Sequence, residues 1–166
     1  MQKRNCFTYG LILVVLLFLS LSEVFARTAD REPLDVDGTV SVVISNPAGD
    51  IDKGKLRYPA NYGVIPRTSQ PKGQGDEGAP MPAIVLGPTL PAGSIVKTHR
   101  LSVLALAEGA KIYNIALLVA EGSNYPITNS IEEFDAMFPG VTSNIEKFFI
   151  SSKGGDKSGK ISSWGF

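Results

Sequence analysis

Cysteine and histidine are almost absent from this chain of 166 residues, which contains one of each, Cys6 and His99. A single histidine, in a stretch that also carries Lys97 and Arg100, offers neither the ligand spacing of a zinc site nor the partners of a serine-type catalytic triad. The glycines do not form a phosphate-cradling P-loop sequence either. These absences exclude three common kinds of site, and we expect His99 to be a surface residue.

A net charge is missing as well, because 16 basic residues balance 16 acidic ones. Without the N-terminal Lys3, Arg4 and Glu23, a single excess negative charge is left. A chain with this balance has no bulk electrostatic attraction to nucleic acids or to anionic membranes. We therefore expect neither as a partner.

The N-terminal segment has the pattern of a secretory signal peptide. Two basic residues, Lys3 and Arg4, precede the uninterrupted apolar run 11–19, and Ala26 offers the small residue that a signal peptidase requires. The run is shorter than the ~20 apolar residues of a membrane-spanning helix, so cleavage after Ala26 is favoured over a retained anchor.

The predicted cleavage divides the chain into a signal peptide (1–26), a flexible leader (27–38) and a folded domain (39–166). The domain is expected in the secretory pathway, extracellular or lumenal, with no stable membrane span after cleavage. Because Cys6 leaves with the signal peptide, the domain has no disulfide and depends on its core for stability.

Most of the domain reads as short β-strands separated by turns. Stretches rich in Val, Ile and Leu occur at 39–44, 83–86, 94–106 and 111–120, and a loop rich in proline and glycine spans 66–82. Several short strands at this spacing favour a sandwich or barrel over alternating β and α units.

Two helices are predicted near the end of the chain. Ser130–Glu133 and Ser143–Glu146 each have the pattern of a capping box, in which a serine and a glutamate satisfy free backbone donors. Pro139 and Gly140 stop the first helix, and Gly154 with Gly155 stops the second. In the second helix three residues share one apolar face at helical spacing: Ile145, Phe148 and Phe149. The fold class is thus mainly β with flanking helices.

The stretch Tyr58–Pro66, which contains Asn61-Tyr62-Gly63 and is followed by Thr68, resembles the signature of the soluble inorganic pyrophosphatases. Four further segments resemble the same family in the same order, and several of them are most similar to eukaryotic-type members: 53–57, 87–106, 131–140 and 147–153. The chain is identified as a divergent, exported member of this family. The resemblance implies an OB-like, five-stranded β-barrel.

The family hydrolyses pyrophosphate to two phosphates with several Mg²⁺ ions, which neutralise the substrate and lower the pKa of the attacking water. The resemblance therefore implies Mg²⁺ as cofactor and pyrophosphate, or another small anion, as ligand. It also places one metal ligand, Asp76, and four substrate-binding residues in this chain: Tyr62, Lys153, Lys55 and Arg57.

The chain departs from the family at most of its metal-ligand positions. The other aspartates of the first loop fall on Gly78 or Ala79 and on Met81 or Pro82, and those of the later hairpin fall on Ala107 and Ile112. The family's lysine falls on Asn114. Glu77 and Glu108 are carboxylates, each offset by one position.

This departure leaves the function open between activity and its loss. A multi-metal site acts as a unit, so the missing ligands predict weak or absent hydrolysis, and no residue is assigned as catalytic. Activity with Glu77 and Glu108 in compensating roles is one reading. The alternatives are an inactive protein that binds an anion or a protein partner, and a structural relative that forms a homodimer.

Overall fold

The computed structural model describes residues 38–52, 56–108, 111–128, 130–152 and 160–164. All of them belong to one compact unit of the chain, residues 32–166. Its elements in chain order are β1 (Val40–Asn46), β2 (Ile51–Asp52), β3 (Leu56–Arg57), β4 (Asn61–Ile65), β5 (Met81–Leu86), β6 (Ile95–Glu108), β7 (Lys111–Ala120), α1 (Ile131–Met137), α2 (Val141–Ser152) and β8 (Lys160–Trp164). The predicted class, mainly β with two short helices, is confirmed.

One six-stranded sheet, in the order β1-β4-β5-β7-β6-β8, forms the body of the unit. Because β1 also pairs with β6, the pairings run through β1, β4, β5, β7 and β6 back to β1, a closed circuit of five strands. Neighbouring strands are antiparallel except β5 and β7, which are parallel. The N-terminal part of β6 pairs with β1 and its C-terminal part pairs with β8. This is the predicted OB-like arrangement, with β8 added outside the circuit.

The sheet is apolar on both faces, because one face forms the interior of the circuit and the other carries the helices. Ala83, Val85 and Leu118 belong to an inner cluster made of strand residues. Ile84 and Leu117 point to the opposite face and join the cluster that contains the helix side chains. Burial on both faces explains why β7 reads as a continuous apolar run in the sequence.

Helix α1 begins and ends where the sequence predicts. The Ser130 hydroxyl oxygen accepts a hydrogen bond from the backbone N–H of Glu133 at 3.2 Å, which caps the helix. The helix ends at Met137, directly before Phe138 and Pro139. Local capping chemistry therefore fixes the bounds of this helix.

The second predicted capping box is wrong. Helix α2 begins at Val141, so Ser143 lies inside its first turn, and the serine hydroxyl donates to the carbonyl oxygen of Gly140 at 3.1 Å. Gly140 has φ of 91°, a conformation that glycine adopts at little cost and that lets the chain turn from α1 into α2. The predicted apolar face is confirmed, since its three members are buried: Ile145, Phe148 and Phe149.

Four short strands were not predicted, and one of them is β4, which lies within the signature stretch Tyr58–Pro66. β2 and β3 form a small separate hairpin, and β8 lies in a tail whose glycines and serines carry no strand signal. The predicted signal peptide and leader, and the Gly154–Gly155 stop, lie outside the described residues. In the part of the chain that the structure describes, no helix is long and apolar enough to cross a membrane.

Candidate functional site

The first residue of the Asn61-Tyr62-Gly63 signature is structural. Asn61 is fully buried, and its side-chain oxygen accepts from the backbone N–H groups of Ala48, at 3.1 Å, and Leu90, at 2.9 Å. Its side-chain nitrogen donates to the carbonyl oxygens of Val85, at 3.3 Å, and Pro88, at 2.8 Å. One side chain thus joins β4 to the turn after β1 and to the segment after β5.

The third residue of the signature is also structural. Gly63 is buried in β4, where a side chain would collide with the carbonyl oxygen of Val43 on β1. Only glycine lets the two backbones approach so closely. Tyr62 is therefore the member of the signature that is left to face a ligand.

Tyr62 lies in an aromatic cluster that joins β4 to helix α2. Its ring stacks on Tyr58, with centroids 5.6 Å apart, and lies 6.0 Å from the ring of Phe149. Tyr58 in turn lies 4.8 Å from Phe148. Because both tyrosines are only partly buried, the rings are held by packing while one side of the cluster stays accessible to solvent.

Burial and the negative charges of two carboxylates raise the pKa values of these tyrosines. Burial raises the pKa of Tyr62, and the negative charges of Asp76 and then Asp52 raise it further. Burial also raises the pKa of Tyr58, to about 12, with a smaller contribution from Asp52, whose Oδ1 lies 3.5 Å from the Tyr58 hydroxyl. Tyrosine phenols are protonated at neutral pH, and the raised pKa values extend the range in which both O–H groups persist to more alkaline pH.

The loop that carries Asp76, residues 70–79 (the Asp76 loop), is closed on itself. The backbone N–H of Gln70 donates to Ala79 O at 2.9 Å, and the N–H of Gly78 donates to Gln70 O at 3.1 Å. Gly75 is buried with φ of 49°, and a side chain there would collide with the amide oxygen of Gln70. The loop is therefore a compact unit with Asp76 exposed at its surface.

The Asp76 loop is also attached to β7. The backbone N–H of Gly75 donates to Ile112 O at 2.8 Å. Asn114 Nδ2 donates to Gln74 Oε1 at 2.7 Å. Both bonds lie at residues directly before Asp76, and they hold this part of the loop against the first residues of β7.

The expected metal-ligand positions do come together, but without carboxylates. Ala107 and Ile112 face each other across β6 and β7, and Ile112 is bonded to the residue before Asp76. Among the residues that the structure describes, no three His, Cys, Asp or Glu side chains are grouped so that they could hold a metal ion. These residues do not fit a resident multi-metal cluster. Asp76 and Asp52, which both act on Tyr62, fit at most a cation that arrives with its ligand.

The structure places the predicted site residues as follows. Tyr62 and Asp76 are brought together, as the charge of Asp76 acts on the Tyr62 phenol. Arg57 is exposed on β3, and its guanidinium Nη1 donates to Gly49 O at 2.8 Å. Lys55 and Lys153 lie outside the described residues. The roles proposed for all five stay predictions.

Sequence reasoning missed Tyr58 and Asp52 as neighbours of Tyr62. Tyr58 stands in the signature stretch, but nothing in the sequence indicates that its ring stacks on Tyr62. Asp52 reaches the cluster only because β2 pairs with β3, a hairpin of two-residue strands that carries no sequence signal.

A separate cavity of about 550 Å³ contains none of these residues. It lies where β5 and β7 end, whereas the Asp76 loop meets β7 at its start, and its lining is Gly87, Pro88, Gly122, Ser123, Asn124, Tyr125 and Phe138. The lining carries no charged side chain, so nothing in it balances the charge of a phosphate ligand.

The family profile and the individual sequences that match this chain point to the same family. Residues 51–165 match the family profile described as inorganic pyrophosphatase. The chain is similar to the inorganic pyrophosphatases of Rhodospirillum rubrum, 29% identical over 113 residues, and Caulobacter vibrioides, 31% identical over 110 residues. These alignments cover 66% and 64% of this chain, and 60% and 59% of the relatives. The chain thus spans about 60% of the length of the curated relatives it matches.

Comparison with solved structures supports the same fold. A type I inorganic pyrophosphatase from P. falciparum superposes with a TM-score of 0.68 at 18% identity, over 81% of this chain and 56% of that one. An inorganic pyrophosphatase from Neisseria gonorrhoeae superposes with a TM-score of 0.63 at 20% identity, over 83% of this chain and 88% of that one. At this level of identity, the agreement concerns the fold alone.

Proposed function

The chain belongs to the inorganic pyrophosphatase family, and from this premise we propose that it binds magnesium pyrophosphate beside Tyr62 and Asp76 and hydrolyses it slowly to two phosphates. The observation that carries the proposal is the pairing of the Tyr62 phenol with the carboxylate of Asp76, whose charge acts on it. The phenol suits a phosphate oxygen, and the carboxylate suits a cation bound to that phosphate.

The charges at the site favour the magnesium complex over free pyrophosphate. Asp76 and Asp52 repel a bare polyanion, whereas a Mg²⁺ ion between carboxylate and phosphate turns repulsion into attraction. Tyr62 can donate a hydrogen bond to a phosphate oxygen without adding negative charge, while the Tyr58 hydroxyl donates to Asp52. Magnesium here is part of the substrate.

The reaction would consume one water, break the bridging P–O bond and release two phosphates. The chain's own residues orient the substrate and hold its charge, which are the main sources of catalysis in phosphoryl transfer. They supply no cluster of three carboxylates or histidines within the described part of the chain. A site that lacks several members of a cooperative set retains only a fraction of the rate, so we expect slow turnover.

Binding without hydrolysis is the second candidate. It is favoured by the alkyl side chains of Ala107 and Ile112, which stand where the family resemblance expects aspartates. On this reading the site recognises magnesium pyrophosphate or a similar anion and leaves it intact.

Phosphate release by the purified chain, measured with and without Mg²⁺, tests the first candidate. Asp76→Ala should abolish release. Glu77→Ala is the matched control and should not, because Glu77 is also an exposed carboxylate of the loop but is not among the charges that raise the pKa of Tyr62. Release that survives Asp76→Ala would not depend on this carboxylate and would overturn the proposal. No release, together with a rise in Tm on adding magnesium pyrophosphate, would favour the second candidate.

We also propose that the chain is exported, that it belongs to the eukaryotic-type subclass and that it forms a homodimer. The basic start and apolar run support secretion, and release of a mature chain beginning at Arg27 would be read by N-terminal sequencing of secreted protein. The segment 53–57 resembles eukaryotic-type members and supports that subclass. A single species of twice the chain mass by light scattering would support the homodimer, and a monomer would contradict it.

A further inference from the structure

Two amides bridge the Asp76 loop and β7. Asn114, which stands where the family resemblance expects a lysine, donates through Nδ2 to Gln74 Oε1 at 2.7 Å. Both side chains are half-buried, and the residues are 40 positions apart in sequence. A partly buried hydrogen bond that joins distant parts of the chain is a geometric constraint on the loop.

The other bonds of the loop would not fix Asp76 by themselves. Its internal bonds, including Gln70 N–H to Ala79 O and Ala79 N–H to Asp76 O, at 2.9 Å each, stabilise its shape and leave its orientation open. Orientation toward the barrel comes from the Gln74–Asn114 bridge and from the bond between Gly75 N–H and Ile112 O at 2.8 Å.

The amide side chains of Gln74 and Asn114 are suited to a hydrogen bond between the loop and β7. An amide carries both donors and acceptors, so Asn114 donates to the Gln74 oxygen and two neutral groups form a direct bond. A lysine has donors only and a charge that favours solvent or an anion. An asparagine in place of that lysine therefore removes a cation that could bind an anion and provides a hydrogen bond to the loop.

We infer that Gln74 and Asn114 are positioning residues, whose bridge holds Asp76 beside Tyr62 so that the carboxylate meets the cation of magnesium pyrophosphate. The inference rests on the proposed function for the identity of the ligand. It rests on geometry alone for the attachment of the loop. The two parts are tested separately.

Hydrogen exchange of the ligand-free chain tests the attachment. Asn114→Leu, which keeps the approximate shape but removes the donor, should speed exchange of the Gly75 amide, which bonds to β7, roughly tenfold, and should leave the Gly78 amide, which bonds within the loop, unchanged. Gln74→Met should do the same. Gln74→Glu keeps an acceptor for Asn114 and should retain protection, and Lys72→Ala, an exposed change in the same loop, should have no effect. Unchanged exchange in Asn114→Leu would overturn the inference.

Affinity for magnesium pyrophosphate, measured by calorimetry, tests the action through Asp76. Asn114→Leu should weaken binding roughly five- to tenfold in the wild-type background and less than twofold in Asp76→Ala, because no carboxylate is left to position. Equal losses in both backgrounds would mean a merely structural bridge and would overturn the inference. A wild-type chain that binds no magnesium pyrophosphate would overturn the proposed function, while hydrogen exchange would still decide whether the bridge holds the loop.

Discussion

Tyr58 stacks on Tyr62, with ring centroids 5.6 Å apart and ring planes inclined by 26°. The contact brings together a residue in the segment after β3 and a residue within β4, and helix α2 covers both rings through Phe148 and Phe149. The candidate site therefore shares side chains with the packing of the helix on the sheet. Changes at this cluster are expected to affect ligand binding and stability together.

The first prediction concerns the pKa of Tyr58, which burial and then the charge of Asp52 raise to about 12. The folded chain holds this proton more tightly than the unfolded chain, so the associated stability is present below pH ~10 and is lost as pH rises toward ~12. Asp52→Asn should lower the pKa part of the way, because burial remains. The tyrosinate absorbance that disappears in Tyr58→Phe reports the titration.

Asp50 is the matched control for this prediction, because its charge is the weakest contributor to the same shift. Asp50→Asn should lower the pKa of Tyr58 less than Asp52→Asn does. The reverse order would contradict the placement of Asp52 beside the phenol.

The second prediction concerns Asn61, whose four hydrogen bonds are all directed to backbone groups. Asn61→Ala leaves several buried backbone donors and acceptors unpaired and should lower the free energy of unfolding by about 3–5 kcal/mol. Urea denaturation measures the loss. Asn124→Ala, at an exposed asparagine, should stay within ~0.5 kcal/mol of the wild type. Similar effects of the two changes would show that the Asn61 bonds add little.

The third prediction concerns Gly63. A methyl group at this position collides with the backbone oxygen of Val43, which cannot move without shifting β1 against β4. Gly63→Ala should therefore cost more than ~3 kcal/mol or prevent folding. Gly73→Ala serves as control, because its methyl meets nothing within 4 Å and only the φ of 82° is unfavourable, at about 1 kcal/mol. Thermal unfolding by circular dichroism ranks the two variants, and equal Tm values would refute the close approach.

The fourth prediction restores carboxylates at Ala107 and Ile112, which are cross-strand partners. Because Ile112 is 44% exposed, a charged side chain there remains solvated. The double change Ala107→Asp with Ile112→Asp should raise Mg²⁺-dependent phosphate release on the order of tenfold and make Tm depend on Mg²⁺. The asparagine pair at the same positions is the control. If both pairs behave alike, charge at these positions does not limit the reaction.

Much of the fold was predictable because its signals are local. Alternation and apolar runs predict β5, β6 and β7, and the serine before α1 predicts its start. The second capping box failed for a tertiary reason. Packing of the apolar face of α2, and the turn at Gly140, start that helix at Val141, two residues before Ser143. β2 and β3, with two residues each, are too short to carry a periodic pattern.

The candidate site was predictable only in part. Tyr62 and Asp76 are found from the family signature and from the acidic loop. Asp52 is not, because its approach to Tyr58 depends on pairing between β2 and β3. The Gln74–Asn114 bridge joins residues 40 positions apart, so no local pattern predicts it.

The sequence by itself determined which chemical groups are available: two tyrosines in the signature stretch, one acidic loop, and alkyl or amide groups at most positions where carboxylates were expected. These are properties of residue types and need no coordinates. Only the tertiary structure decided which groups meet, because closing the five-stranded circuit carries Ile112 and Asn114 to the Asp76 loop and packs Tyr62 between Tyr58 and helix α2. Proximity between residues distant in the chain is set by strand pairing and core packing, which no short stretch of sequence contains.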